Sequence, residues 1–165
     1  MATRRIREFL DGSAVKYVTI SHSPAYTAQE TAQSTHIPGR KMTKTVVVRV
    51  DGHLAMAVVP ATKEIDLELL RQQIDAQQVT LAREAEFVDR FAGCQLGTFP
   101  PFGNLFGLDT FVDPSVTERG EIAFPAGTHT DVIVMRTSDY ERLVCPKHVR
   151  MAFEPIALGP PALSI

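Results

Sequence analysis

The sequence predicts a single α/β domain, α+β-like in character, with helices packed around one mixed and mainly antiparallel sheet. A chain of 165 residues fits one compact domain with a single core. Strand-like and helical patterns are interspersed along it, and the dipeptide Asp51-Gly52 joins two strand-like runs by a turn that requires antiparallel neighbours. We therefore predict one domain over residues 1–155, followed by a C-terminal tail over residues 156–165.

The N-terminal segment contains two helix patterns and one strand pattern. IREFL (residues 6–10) has its apolar residues on one helical face, and KYVTIS is rich in the β-branched and aromatic residues typical of strands. Thr27 and Glu30 have the spacing of a capping box, which predicts a helix that begins there and ends near Pro38-Gly39.

The clearest local pattern is a hairpin. TKTVVVRV and HLAMAVVP flank Asp51-Gly52, the dipeptide that a two-residue β-turn prefers. The following segment, IDLELLRQQI, predicts an amphipathic helix. Its apolar positions on one face are Ile65, Leu69, Leu70 and Ile74.

Strands and short helices also fill the second half of the chain. VTLA predicts a short strand, EAEFVDRF predicts a helix that ends at Gly93, and DTFVD, EIAFPAG and DVIVMR predict three further strands. Ser138 and Glu141 form a second capping box, which predicts a helix through DYERLV that Pro146 ends.

Composition argues against several functional classes. A net charge of −2 does not support bulk electrostatic binding to nucleic acid, and no apolar run approaches the roughly 18 residues of a transmembrane helix. The segment MATRRIREFLDG has no apolar stretch after its arginines, so we expect no secretory signal and a cytoplasmic location. Cys94 and Cys145 stand alone, which predicts ordinary thiols and neither a disulfide nor a zinc site.

Common catalytic motifs are missing from the sequence. It has no phosphate-binding P-loop, no dinucleotide fingerprint and no serine-hydrolase elbow. The five histidines are scattered, so we predict no metal site and no cofactor. His129 is a candidate site residue because AGTHTD connects two predicted strands, although turn formation alone also explains that segment.

The segment GCQLGTFPPFGN (residues 93–104) contains three glycines and two prolines. These residues fix the backbone path but supply no nucleophile, acid or base. Glycine lets backbone N–H groups approach a substrate closely, and such groups stabilise a developing oxyanion. The segment therefore fits a simple turn, and it also fits a reaction that depends on positioning, such as hydrolysis of an activated ester.

Basic residues are concentrated in two places. Solvated surface charge explains both groups from residue type alone. The groups are Arg4, Arg5 and Arg7 near the start, and Arg40, Lys41 and Lys44 before the hairpin.

In this order, MTKTVVVRVDGHLAMAVVPATKEID, GCQLGTFPPFGN and FPAGTHTDVIVM resemble the YbaK family, over about Tyr17 to Val144. Its members are aminoacyl-tRNA deacylases related to the editing domain of bacterial prolyl-tRNA synthetases. The resemblance implies a trans-editing hydrolase for mischarged tRNA, with tRNA for proline as one candidate substrate. It also implies the tRNA acceptor end and an aminoacyl-tRNA synthetase as partners, with no DNA or membrane partner.

The resemblance also implies which residues form the site. Lys44 falls on a lysine associated with the tRNA 3′ end, and Gly97 falls in the loop that surrounds the aminoacyl group; both are predicted to be catalytic. The predicted substrate-binding residues are Thr98, Phe99, Pro100, Pro101, Phe102, Gly103 and His129, and the predicted tRNA-binding residues are Arg40 and Lys41.

Some choices stay open at this point. Many relatives have a small polar residue where this chain has Pro100, so the amino acid removed is not specified. Phe106, a third aromatic residue near the loop, is interpreted as core packing. Two other functions also fit: a module that binds tRNA or a synthetase without hydrolysis, and a hydrolase of another small ester or thioester.

Overall fold

The computed structural model describes residues 2–22, 37 and 41–155. The helix predicted from Thr27 and Glu30, the residue Arg40 and the tail predicted over residues 156–165 lie outside these ranges. Within them, no helix combines the length and the apolar character that crossing a bilayer demands.

The first helix and strand follow the predicted patterns. α1 (Ala2–Gly12) buries Ile6 and Leu10, which lie one helical turn apart and join the largest core cluster. β1 (Tyr17–Ser21) pairs antiparallel with β8 (Asp131–Arg136). Both predictions are confirmed.

The predicted hairpin is formed by β2 (Thr43–Val50) and β3 (His53–Pro60), whose register is continuous over the whole length of both strands. Asp51 and Gly52 have positive φ angles of 47° and 85°. Positive φ at both central residues is the geometry of the type I′ turn, which Asp-Gly favours. The hairpin prediction is therefore confirmed at both strands and at the turn.

The other strands are β4 (Glu64–Ile65), β5 (Val79–Leu81), β6 (Asp109–Val112), β7 (Glu121–Pro125), β9 (Lys147–His148) and β10 (Ala152–Phe153). In the described part of the chain they form a sheet ordered β5-β2-β3-β6-β9, a sheet ordered β1-β8-β7 and a β4-β10 pair. The β3–β6 and β6–β9 pairs are parallel and the others are antiparallel. The fold class is confirmed, but the strands are divided among separate sheets, and the isolated parallel bridge Met42–Ala123 connects the five-stranded sheet to the three-stranded one.

The remaining helices are α2 (Leu67–Gln73), α3 (Glu84–Phe87), α4 (Pro114–Thr117) and α5 (Thr137–Val144). α2 begins after Asp66, whose carboxylate accepts the Leu69 N–H at 3.0 Å as an N-cap. The start predicted at Ile65 is too early because Ile65 belongs to β4. α3 is also shorter than predicted, since the chain continues from it as a 3₁₀ turn over Val88–Phe91.

The capping box predicted at Ser138 is wrong. α5 begins two residues earlier, with Arg136 as its N-cap and no side-chain capping bond. The Thr137 hydroxyl donates to the Arg119 carbonyl instead, which ties the start of the helix to the turn between α4 and β7. The end of the helix is as predicted, with a left-handed Cys145 before Pro146.

Core clusters lie on both faces of β2. Val47 contacts the largest cluster, which contains the buried aromatic residues of the glycine-rich segment. Val46 and Val48 contact a second cluster that includes Leu70 of α2. Because side chains alternate along a strand, Lys44 shares the face of Val46 and Val48.

Candidate active site

The glycine-rich loop (residues 93–104) connects the 3₁₀ turn of Val88–Phe91 to a second 3₁₀ turn, Gly103–Leu105. Gly93 and Gly97 have positive φ angles of 88° and 82°. A residue with a Cβ adopts such angles only at a cost, so glycine is required for the path at these two positions.

Reciprocal backbone hydrogen bonds fasten the loop to the end of β7. The Gln95 N–H donates to the Gly127 carbonyl at 2.9 Å, and the Gly127 N–H donates to the Thr98 carbonyl at 2.9 Å. Inside the loop, the N–H and the hydroxyl of Thr98 donate to the Gln95 carbonyl at 3.1 and 2.6 Å. These bonds, which we call the Gln95–Gly127 clamp, hold residues 95–98 against the β7–β8 connection.

His129 lies in the β7–β8 connection, next to this clamp. Its backbone N–H donates to Oε1 of Gln95 at 2.6 Å. The Thr128 hydroxyl donates to the Asp131 carboxylate at 2.8 Å and shapes the same connection. The structure therefore brings His129 to the glycine-rich loop through Gln95, a residue that the sequence-based prediction omits because a loop glutamine has no pattern of its own.

Few backbone N–H groups of residues 97–103 are available to a ligand. Pro100 and Pro101 have none. The N–H groups of three further residues already donate hydrogen bonds within the protein: Thr98, Phe102 and Gly103. The N–H groups of Gly97 and Phe99 make no hydrogen bond to the part of the chain that the structure describes. These two groups are therefore the candidate donors to a substrate oxygen.

The second half of the loop is buried. The Phe102 ring is fully buried and lies 5.3 Å from both the Phe124 and the Tyr140 ring centres. The Tyr140 hydroxyl, whose pKa is raised by burial, donates to the Pro101 carbonyl at 2.8 Å. A ring with no exposed surface cannot line a pocket in this conformation, so Phe102 supports the loop from beneath instead of contacting a substrate.

Gly103 is required by close packing. Its N–H donates to the Thr110 hydroxyl at 3.0 Å. A Cβ atom at this position would overlap with the same hydroxyl and would lie 2.5 Å from the Leu108 carbonyl oxygen. The structure thus places Gly103 at the base of the loop, where it anchors the loop to β6.

The Phe99 ring belongs to an aromatic stack. It lies 4.1 Å from the Phe91 ring and nearly parallel to it, and Phe91 lies 4.5 Å from the partly buried Phe106, whose interpretation as packing is confirmed. Burial raises the pKa of the adjacent Cys94 thiol to about 11, so it is protonated at neutral pH and is no nucleophile. A cavity of about 70 Å³ beside the stack is lined by Glu84, Phe87, Val88, Phe91, Cys94, Leu96 and Phe99.

Lys44 lies near the same end of β7 as the clamp. β2 and β7 run parallel at the Met42–Ala123 bridge, and Lys44 and Gly127 lie two and four residues beyond it. The ammonium group is on the Val46 face of β2, away from the Phe99 side. The structure therefore brings Lys44 to the end of β7 where the clamp and His129 lie, but not to the face that packs against the aromatic stack.

Lys44 and Lys41 each form an ion pair with a solvent-exposed glutamate. Lys44 Nζ lies 3.2 Å from Glu64 Oε1, and Lys41 Nζ lies 3.9 Å from Glu121 Oε1. The two glutamates are more than half exposed, so solvent screens both pairs and each is weak. Among the residues that the structure describes, no group of three His, Cys, Asp or Glu side chains is placed to hold a metal ion.

Comparison with protein families gives one match over most of the chain. Residues 22–143 match the model of the aminoacyl-tRNA editing domain, a range that includes Lys44, the glycine-rich loop and His129. The chain belongs to this family. The resemblance seen in the sequence is thereby confirmed.

Curated relatives come from the editing enzymes and from the synthetases. The multifunctional Ser/Thr-tRNA deacylase ProXp-y of Escherichia coli K12 is 35% identical over 111 residues, which are 64% of this chain and 66% of that protein. A proline–tRNA ligase of Thermosipho africanus is 28% identical over 94 residues, which are 56% of this chain and 17% of the ligase. The matched segment therefore spans just under two thirds of the first relative.

A solved structure shares the fold of this editing domain. It is described as a candidate trans-editing enzyme for prolyl-tRNA synthetase, and it superposes with a TM-score of 0.77. The match covers 92% of this chain and 97% of the other at 19% sequence identity, so it is evidence for the fold alone.

Proposed function

We propose that this editing domain hydrolyses the ester bond of a mischarged aminoacyl-tRNA, in trans to the synthetase that made the error. Membership of the editing family and the similarity to a Ser/Thr-tRNA deacylase support this reaction class. The structural observation that carries the proposal is the pair of N–H groups at Gly97 and Phe99, because every other N–H group of residues 97–103 is used or missing.

In this reaction a water oxygen attacks the ester carbonyl carbon, and the carbonyl oxygen becomes an oxyanion. The Gly97 and Phe99 N–H groups donate hydrogen bonds to that oxyanion, which they can do without reorganisation because the Gln95–Gly127 clamp holds the loop. The ribose oxygen of the terminal adenosine then leaves with a proton from the attacking water, which releases free amino acid and tRNA. A well-positioned water is sufficient because an aminoacyl ester is already activated.

The basic residues before and at the start of β2 bind the tRNA end. Lys44 supplies a point charge to phosphate near the terminal adenosine, with Lys41 and Arg40 as further cations. The ion pairs of Lys44 with Glu64 and of Lys41 with Glu121 are weak enough for phosphate to replace the carboxylates. His129 shapes the pocket wall through its backbone bond to Gln95.

A second pocket for editing is useful because the amino-acid pocket of a synthetase discriminates poorly against smaller residues. One methylene group is worth only about 1–3 kcal/mol in a synthetase pocket, so a smaller amino acid is activated by mistake. A separate site that admits the smaller residue and excludes the correct one removes the error. The name of the relative directs the first tests to seryl- and threonyl-tRNA, followed by alanyl- and cysteinyl-tRNA.

The test is release of amino acid from a panel of misacylated tRNAs, measured against a no-protein control. Lys44→Ala removes a charge-assisted contact to phosphate and is expected to lower the rate on the best substrate about 100-fold while the fold is kept. The exposed Lys16 gives a matched control, and Lys16→Ala is expected to retain full activity. Glu64→Gln, which frees the Lys44 ammonium, is expected to be at least as active as the original protein.

Two results would replace the proposal by one of its alternatives. Binding of tRNA without release of amino acid from any member of the panel would favour a non-catalytic module. Turnover of simple esters or thioesters without activity on tRNA would favour a different hydrolase. Full activity of Lys44→Ala would remove the role proposed for that lysine.

A further inference from the structure

Two arginine side chains from distant parts of the chain donate to two consecutive carbonyls, those of Leu105 and Phe106, just after the glycine-rich loop. Arg5 of α1 donates to the Leu105 carbonyl, and its guanidinium carbon lies 5.2 Å from the centre of the Phe106 ring. Arg90 donates to the Phe106 carbonyl at 3.5 Å. Both side chains are exposed, so the fold gathers two positive charges on the surface beside the proposed site.

These charges are not neutralised by carboxylates of the described residues. The ion pairs found there do not include Arg5 or Arg90, and Arg4, the neighbour of Arg5, is the residue that pairs with Glu8. A guanidinium has five N–H donors, so each arginine keeps donors after its bond to a carbonyl. The arrangement can therefore accept an anion without losing the contacts that position it.

The aromatic stack gives an upper bound for the distance between the Phe99 ring and the Arg5 guanidinium. Successive separations are 4.1 Å from Phe99 to Phe91, 4.5 Å from Phe91 to Phe106 and 5.2 Å from Phe106 to the Arg5 guanidinium. A nucleic-acid strand advances about 3.4 Å per nucleotide along a helix. A strand whose esterified end lies at Gly97 and Phe99 thus reaches Arg5 with a phosphate a few nucleotides away.

We propose that Arg5 and Arg90 form a second phosphate-binding site, which receives the tRNA backbone a few nucleotides from the esterified 3′ end. The ligand's identity as tRNA rests on the proposed function. The planar guanidinium can bind two phosphate oxygens at once, which suits arginine to this task better than lysine. The N-terminal arginine group, which sequence alone explains as solvated charge, then has a specific ligand through Arg5.

The first test measures the affinity for uncharged tRNA by fluorescence anisotropy over a range of salt concentrations. Arg5→Glu/Arg90→Glu is expected to weaken binding at least about 10-fold and to reduce the slope of log affinity against log salt by about 1.4–1.8, at about 0.7–0.9 per lost contact. Arg119→Glu/Arg150→Glu changes two other exposed arginines by the same charge and is expected to bind almost normally. Equal weakening in both variants would overturn the proposal, because it would indicate a general charge effect.

The second test separates phosphate binding from support of the loop. The Arg5/Arg90 double variant is expected to deacylate full-length mischarged tRNA with a raised KM, and to deacylate a short aminoacyl-CCA fragment normally. An equal loss on both substrates would overturn the proposal, since it would mean that the arginines only hold the loop in shape. If the unmodified protein binds tRNA through these arginines but hydrolyses no ester, the proposed function fails and this binding site stands.

Discussion

The two halves of the glycine-rich loop are held in place by different forces. Residues 95–98 are mostly exposed and are positioned by the Gln95–Gly127 clamp, whose bonds are almost all between backbone groups. Residues 99–103 are buried, and their side chains and close contacts belong to the core. The second half therefore supports the loop through core packing, whereas the first half and its junction at Phe99 carry the groups available for chemistry.

The largest expected effect on stability comes from a substitution in the buried half of the loop. Gly103→Ala places a Cβ against the Thr110 hydroxyl and the Leu108 carbonyl oxygen, and the backbone at Leu108 cannot move aside to make room. Overpacking and a disturbed hydrogen bond together predict a loss of about 3 kcal/mol in the free energy of unfolding, measured by urea denaturation. Gly120→Ala is the matched control, because a Cβ there meets nothing within 4 Å, and its stability should be nearly unchanged. Equal stabilities of the two variants would contradict the packing role of Gly103.

A substitution in the exposed half of the loop is expected to cause a smaller loss of stability and a large loss of activity. Gly97→Ala forces a residue with a Cβ to a φ of 82°, at a cost of about 1–2 kcal/mol, or turns the peptide and moves its N–H. Displacing a catalytic group by about 1 Å lowers rates by about 100-fold, so deacylation should fall by that order in single-turnover assays. An active Gly97→Ala variant would show that this N–H does not bind the oxyanion.

The smallest of the three effects is expected at the link between the loop and His129. Gln95→Ala removes the side-chain acceptor of the His129 N–H, which predicts a loss of about 1 kcal/mol in stability and about 10-fold in rate. Gln95→Glu keeps an acceptor oxygen in the same place and should be less impaired in both measurements. Identical losses in the two variants would mean that this hydrogen bond does not position the connection.

Local signals predicted the fold where partners are close in sequence. The β2–β3 hairpin follows from alternating residues around Asp51-Gly52, and both strands and their turn are as expected. The capping box at Ser138 fails because Thr137 finds a partner in Arg119, a contact that exists only after folding. The same limit applies to the loop, since its path depends on the bonds of Gln95 and Thr98 to Gly127 and of the Pro101 carbonyl to Tyr140, partners that are distant in the sequence.

The Gln95–Gly127 clamp has a consequence for how such a site can change over generations. A site whose working groups are main-chain atoms tolerates many side-chain replacements around it. One residue inserted between Gln95 and Gly97 would instead lengthen the chain by up to about 3.3–3.6 Å and end the alignment of both N–H groups. In related sequences, the length of this loop is therefore expected to vary less than its amino-acid composition.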